Sequence, residues 1–449
     1  MTKKEKREKK KNDRGIVDFI MIYKHFFKDM PNWINEMEDP RNPSYTIYTQ
    51  ADFVNMGILK NVCSLESMRQ MEEAFNEENC VATLQLMSGD TRLKEMPHYD
   101  TRNYYLEQLS PQCLSDLRRK MVTSLIRGKQ FYRSRLQKKY WRVILDGTGL
   151  FCFKERHCEN CLSVVRSDAD GKKVKLYYHK VLEAKLVLGD KIIISLGTEF
   201  IENEKEDVSK QDCELNAAKR LMKRIKQEYP KLPICIQGDA LYGVEPVMEL
   251  CRKYGWKYIF SQKETRQRLV AENYNLLSEE DKTKKTGIKI GKEEGNGCYY
   301  NHMEKLAGKK EIMNLYEYSY EKKTPKGVIE IRFQWLTNIE LTKNNLEEMI
   351  KAGRGRWKIE NEGFNNQKNG IYRIEHLNSR NSNAMKNHYL LTQIADILMQ
   401  LYIAWCPLIK EIKQSIKNTS SRLLESFRRQ IVTDEDVLYI KRYTSIYLE

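Results

Sequence analysis

Two short apolar runs, each ending in an acid, constrain this chain most: WRVILD (Trp141–Asp146) and ICIQGD (Ile234–Asp239). Runs of this length, bounded by turn residues, read as buried strands. The first is followed by Gly147-Thr148-Gly149, which reads as a turn, and then by LFCF as a second strand. KVLEAKLVLGD and KIIISLGTEFI supply two more. CELNAAKRLMKRIKQEYP then has the spacing of an amphipathic helix with a basic face, ending at Pro230. ICIQGD follows, then a helix over Val244–Lys253 and a strand in WKYIFSQK. Neighbouring strands followed by alternating helix and strand predict an α/β fold built on a mixed sheet.

The flanks read differently. Residues 16–138 are mostly helix-formers, broken at Pro40, Pro43, Pro97 and Pro111. Within them Leu114, Leu117, Met121 and Leu125 recur at helical spacing, and LIRGKQFYRSRLQKKY crowds Lys and Arg at the end of that helix. Residues 265–330 are rich in Lys, Glu, Gly, Asn and Tyr, and predict a β-rich insertion that includes IEIRFQWLTNI (Ile329–Ile339). Helical spacing resumes at Lys343 and runs through RWKIENEGFNNQK into an apolar helix at 389–405. Gln393, Asp396 and Gln400 interrupt that helix at helical spacing, so it reads as packed in protein rather than in lipid.

Charge narrows the partner. Lys and Arg number 78 against 62 Asp and Glu, a formal net charge of +16, and eight of the first fourteen residues are basic. Such an excess favours a polyanion, of which nucleic acid is the commonest. Eleven scattered cysteines, an odd number, fit reduced thiols in a cytoplasm better than a disulfide framework, and the basic N-terminus has no apolar segment behind it. No Gly-rich phosphate loop or dinucleotide fingerprint points to a metabolic α/β enzyme.

Acids at strand ends on the carboxyl edge of an α/β sheet lie where ligands bind. Taken singly, Asp146 or Asp239 could be a loop cap. As a pair in a basic protein they suggest a site that relieves carboxylate repulsion with divalent cations, for which Mg²⁺ is suited. A third acid is expected from RWKIENEGFNNQK, where Glu360 competes with Glu362. Trp357, Glu360 and Phe364 fall at i, i+3 and i+7, which puts Glu360 on the inward stripe and Glu362 elsewhere. Arg356, one turn earlier, could instead simply pair with Glu360.

ILDGTG, IQGDALYG, FQWLTNIEL and GRGRWKIENEGFNNQKNG together resemble the successive motifs of bacterial insertion-sequence transposases with an Asp-Asp-Glu site, in the insertion-sequence-four family or a related outlying group. The resemblance covers roughly Tyr140–Tyr402, and PHYDT (Pro97–Thr101) extends it. It implies a ribonuclease-H-like catalytic domain interrupted by a β-rich insertion, with a helical N-terminal DNA-binding domain. On that reading residues 1–15 are a basic tail and 16–138 the helical domain. The catalytic domain comprises 139–264 and 343–406 around an insertion at 265–342, and 407–449 is a helical C-terminal segment. Asp146, Asp239 and Glu360 become the catalytic residues and ligands of two Mg²⁺ (or Mn²⁺) ions. The partners implied are double-stranded DNA, as transposon ends and as target, and a second copy of the chain in a homodimer on DNA, with no membrane; the localisation implied is cytoplasmic and nucleoid-associated. The family's glutamate helix spaces Tyr, Arg, Glu and Lys; here Arg356 and Glu360 keep the spacing. Gly353 stands at the tyrosine position, and Gln367 at the lysine position with Lys368 one later. Arg356 and Lys368 are the DNA-binding candidates. A ribonuclease-H-like nuclease without strand transfer, or a domesticated DNA-binding protein without catalysis, are the other readings.

Several features stand outside these motifs. His157, Cys158 and Cys161 form H-C-x2-C, and His179 follows on a later strand, a set that suits structural zinc or is only reduced thiols in a turn. His98 and His376 read as hydrogen-bonded structural histidines, and Tyr242 as a packed or groove-lining ring. Lys210, Arg220, Lys223, Arg224 and Lys226 on the basic helix are either a solvated face or phosphate contacts.

Overall fold

The computed structural model describes residues 5 and 14–442, apart from 157, 169, 190, 206, 207, 264, 265, 326 and 358–362. Among the described residues the first helices are α1 (Gly15–Phe27), α2 (Met30–Asn35), α3 (Gln50–Val62), α4 (Met68–Ala74), α5 (Glu78–Ser88), α6 (Tyr99–Gln108) and α7 (Pro111–Arg127). Their starts are written in the sequence. Thr49 and Asp52 form a reciprocal capping box on α3, Ser67 and Gln70 do the same on α4, and Pro111 opens α7. The α7 stripe of Leu114, Leu117, Met121 and Leu125 is buried, as its spacing requires.

The middle of the chain is a ten-stranded mixed sheet. Its strands are β1 (Trp141–Phe153), β2 (Leu162–Ser167), β3 (Lys173–Val187), β4 (Ile193–Ile201), β5 (Ile234–Gly238), β6 (Lys257–Ser261), β7 (Thr283–Ile290), β8 (Glu293–Tyr300), β9 (Asn314–Thr324) and β10 (Gly327–Thr337). The order is β2-β3-β1-β5-β6-β10-β9-β8-β7, with β4 beside the C-terminal half of β3. β3 is antiparallel to β1 and to β4, whereas β5 runs parallel to β1 and β6 parallel to β5. β7–β10 are antiparallel to their neighbours and extend the sheet from β6.

One expectation is corrected here. WRVILD and LFCF are not two strands around a Gly147-Thr148-Gly149 turn but the single strand β1. Antiparallel pairing to β3 runs through all three residues, and the irregularity falls later, between Gly149 and Cys152. The two glycines are tolerated because β3 takes up the backbone hydrogen bonds that a turn would otherwise satisfy.

Helices cover both faces. α8 (Glu214–Glu228), α9 (Glu245–Tyr254), α10 (Arg268–Leu276), α11 (Met303–Leu306) and α12 (Leu346–Arg354) alternate with the later strands. α13 (Ser382–Trp405) follows, then α14 (Pro407–Ile412), α15 (Ile416–Arg429) and α16 (Asp434–Arg442). α8 packs on β4, where Gly197 lies against Leu221 and Ile225. α13 is the hub of the other face, touching α1, α3, α6, α7 and β4. Its polar residues turn inward: Gln393 and Asp396 are buried, and Gln400 bonds the backbone of Ile193 in both directions at 2.7 and 2.8 Å. Among the described residues no helix is long and apolar enough to cross a membrane.

Candidate active site

The register of β1 against β5 builds the site. Ile144 pairs with Gln237, so two residues further along each parallel strand come Asp146 and Asp239, on the same face by alternation. Asp146 thus lies inside β1 rather than at its end, just past the point where β5 stops pairing with it. Asp239 leaves β5 directly, and its Oδ1 accepts from the Leu241 amide at 2.8 Å. Asp146 accepts from the Gly147 amide at 3.0 Å.

Burial pushes the Asp146 carboxyl up to about 6, with Arg356 opposing and the charges of Glu214 and Asp239 adding to the rise. Arg356 Nη1 stands 3.7 Å from Asp146 Oδ2, so Arg356 has a partner on β1. On that same β1 face Phe364 clusters with Ile144 and Val187.

Glu214 is the acid that sequence reasoning missed. As the first residue of a basic helix it reads only as a complement to the helix dipole. In the fold its carboxylate pairs with Lys180 of β3 and accepts from the Tyr242 hydroxyl at 2.5 Å. It also fills the space over Gly147, where a Cβ would collide with it. Tyr242 is fully buried, and a Cβ on Gly238 would stand 2.5 Å from its ring, which explains the glycine before Asp239. Tyr242 is therefore packed beneath the acids and does not line a groove.

Glu360 and its rival Glu362 lie outside the described residues. The stripe used to separate them is corrected in part: Phe364 is buried at 6%, but Trp357 is 42% exposed. Gln367 is buried and bonds Asp396 at 2.9 Å and Gln393 at 3.0 Å, while Lys368 pairs with Glu375 at 2.7 Å. On the basic helix, Arg220 is held by Glu199 and Asp212 at 2.7 and 2.6 Å, and Arg224 by Glu199 at 2.9 Å. Both side chains stay partly exposed, with acidic partners at the surface. His98 caps α6 and faces Glu72 at 3.2 Å, and His376 faces Glu66 at 3.8 Å. Cys158, Cys161 and His179 are brought together; His157 lies outside the described residues.

An open groove of about 1240 Å³ lies at the start of β1, where Arg142 lines it; Asp146, Asp239 and Glu214 are not among its lining residues. Lys129, Arg133, Arg135, Arg142, Lys351 and Arg354 line it against the single acid Glu348, and Trp357 stands at its rim next to Arg356. Arg135 stacks over Tyr132 with its guanidinium carbon 4.0 Å from the ring centroid, and Arg354 over Phe333 at 4.0 Å. The crowded LIRGKQFYRSRLQKKY segment was the sequence signal for the first three.

Residues 192–396 match the family model described as the transposase DDE domain. That stretch runs from β4 into α13; it includes Asp239 and Glu360 and begins beyond Asp146. No curated protein matches the chain. Among solved structures, it is similar to the one described as a cryo-EM structure of the piggyBac transposase synaptic complex with hairpin DNA. That match has 13% identity and a TM-score of 0.41 over 98% of this chain and 86% of that one.

Proposed function

We propose that the chain is a DNA transposase of the insertion-sequence-four kind that cuts at transposon ends and joins them to target DNA by in-line phosphodiester displacement. The observation that carries this reading is the placement of Asp146 and Asp239 at one level on adjoining parallel strands. The match of residues 192–396 to the transposase DDE domain supports it independently. The order β4-β3-β1-β5-β6, with only β3 reversed, supports a ribonuclease-H-like core, since that fold sets its acids on the first strand and on a parallel neighbour.

The residues present fit divalent metal. Asp146 is raised to about 6 by burial and neighbouring acids, a repulsion that bound cations would relieve. Asp146, Asp239 and Glu360 would hold the ions. Arg356 and Phe364, on either side of the glutamate segment, both lie on the Asp146 face of β1. Two Mg²⁺ or Mn²⁺ ions would activate a water or DNA 3′-hydroxyl and neutralise charge on the leaving oxygen.

The chain's own groups do the rest. Lys180 and Tyr242 hold the Glu214 carboxylate in place. Arg356 can exchange Asp146 for a phosphate oxygen as DNA arrives, and Lys368 is a second candidate beyond it. The Arg and Lys of the groove bind the backbone without reading sequence. A homodimer that holds two ends is part of the same proposal.

The test is a Mg²⁺-dependent assay on duplex carrying the element's own ends, scored for cutting and for joining of 3′ ends. Asp146→Asn, Asp239→Asn and Glu360→Gln should each abolish both while leaving DNA binding within about threefold, a free-energy change of under about 1 kcal/mol. An Asp146→Asn protein that still cuts would overturn the assignment. Cutting without joining would make the chain a nuclease of the same fold.

A further inference from the structure

The H-C-x2-C turn has no part in the acid site, yet the fold closes it around a point. Cys158 lies in the turn between β1 and β2, Cys161 at the foot of β2, and His179 on β3. His179 Nε2 is 3.3 Å from each sulfur, and the sulfurs are 3.5 Å from one another. At that separation the sulfurs are not bonded to each other, since a disulfide brings them to about 2.05 Å. Tetrahedral zinc, with bonds of about 2.3 Å to sulfur and about 2.0 Å to nitrogen, spaces its ligand atoms by roughly 3.5–3.8 Å. The observed triangle is slightly smaller, and small side-chain rotations open it to that size.

The surroundings hold the trio in place. Cys161 and His179 are buried and Cys158 is half-buried. Asn203 donates to the Cys161 carbonyl at 3.0 Å, and Asn160 donates to the Asn203 carbonyl at 2.9 Å. The Asn203 amide in turn reaches the Asn160 carbonyl at 3.2 Å. This lattice fixes the turn before any ligand arrives, the role that outer contacts play around metal ligands.

We propose that Cys158, Cys161 and His179 bind one structural zinc ion, whose fourth position is completed from outside the trio. Two thiolates and an imidazole select zinc over the hard cations that suit the acid site. Binding releases the two thiol protons. The location gives the ion a task. β3 spans two residues, Lys180 to Tyr178, where β1 spans three, Gly149 to Cys152. His179 stands opposite that bulge, and the next residue, Lys180, holds Glu214. Zinc would pin the bulge and the β1–β2 turn to β3, and so steady the strand that carries Asp146.

Metal content of the full-length protein, purified without chelator, tests this. One zinc per chain is expected, lost in Cys161→Ser and in His179→Ala and retained in Cys152→Ser, whose thiol is exposed on β1. In case the variants misfold, wild-type protein stripped of metal and reloaded with Co²⁺ should show thiolate-to-cobalt charge-transfer absorption. Wild-type protein that carries no zinc and gives no such band would overturn the site. So would full zinc content in a Cys158→Ser/Cys161→Ser double variant.

Discussion

At the scale of single residues, two positions separate catalysis from stability. Gly147 has no side chain because the Glu214 carboxylate occupies that space. Gly147→Ala should push Glu214 off Lys180 and Tyr242 and disturb the charge beside Asp146. Displacements near 1 Å around reacting groups cost up to about a hundredfold in rate, whereas overpacking costs about 1–3 kcal/mol. Cleavage slowed at least about tenfold, with DNA affinity kept, is the expected result; an unchanged rate would remove Glu214 from the site. Lys60 is the converse case. It is buried far from the acids with its ammonium on the Glu66 carbonyl at 3.0 Å. Burial, with Arg102 nearby, lowers it from 10.5 to about 7. Between those values the unfolded chain binds the proton and the folded one does not, so this group makes stability rise with pH across that window. Lys60→Met should therefore raise the melting temperature most at pH 6, by at least about 2 °C, and progressively less towards pH 9. Melts at several pH values that show a constant gap would refute this.

Among the elements, α13 and β3 are joined by buried charge. Lys185 lies 3.8 Å from Glu183 and 4.0 Å from Asp396, and its ammonium donates to Gln393 at 2.5 Å. Arg118 of α7 reaches the same network through the Ser195 hydroxyl at 3.0 Å. Removing the cation between two buried acids leaves Asp396 without its charged partner, and breaking a buried pair typically costs about 3–5 kcal/mol. Lys185→Met should lose about that much in urea unfolding, and a loss under about 1 kcal/mol would show that burial, which raises Asp396, keeps it protonated in the fold. Such networks explain what the sequence could and could not convey. Gln393, Asp396 and Gln400 read as protein-facing because their helical spacing is local information. WRVILD and ICIQGD read as strands for the same reason, and their two acids could be paired from pattern alone. The continuation of β1 through Gly147-Thr148-Gly149 was hidden, because local chemistry says turn and only pairing with β3 overrides it. Glu214 was hidden too, since what distinguishes it is contact with Lys180 and Tyr242, 34 and 28 residues away in the chain. The Trp357–Phe364 stripe failed at Trp357, which stands at the rim of the groove, where exposure suits a ring facing a ligand.

Across the whole molecule, one hydrophobic core runs from Ile16 through the sheet to Phe427, so the terminal helices and the sheet bury their apolar faces together. The net charge of +16 is then a property of the surface, and what matters is where it is free to act. On α8, Arg220 and Arg224 are paired with Glu199 and Asp212. In the groove Lys351 and Arg354 are likewise paired, with Glu347 and Glu293, whereas Lys129 and Arg133 have no ion pair among the described residues. Binding through phosphates releases counterions, and each contact contributes about 0.9 to the slope of log K against log salt. Lys129→Ala with Arg133→Ala should therefore lower that slope by roughly 2 and weaken binding about equally on unrelated duplexes. Arg220→Ala with Arg224→Ala removes the same formal charge and should leave the slope unchanged. Fluorescence anisotropy with labelled duplex, between about 50 and 200 mM salt, measures both. If the α8 pair moved the slope and the groove pair did not, the DNA would have to run over the other face of the sheet. The groove at the start of β1 would then need another occupant.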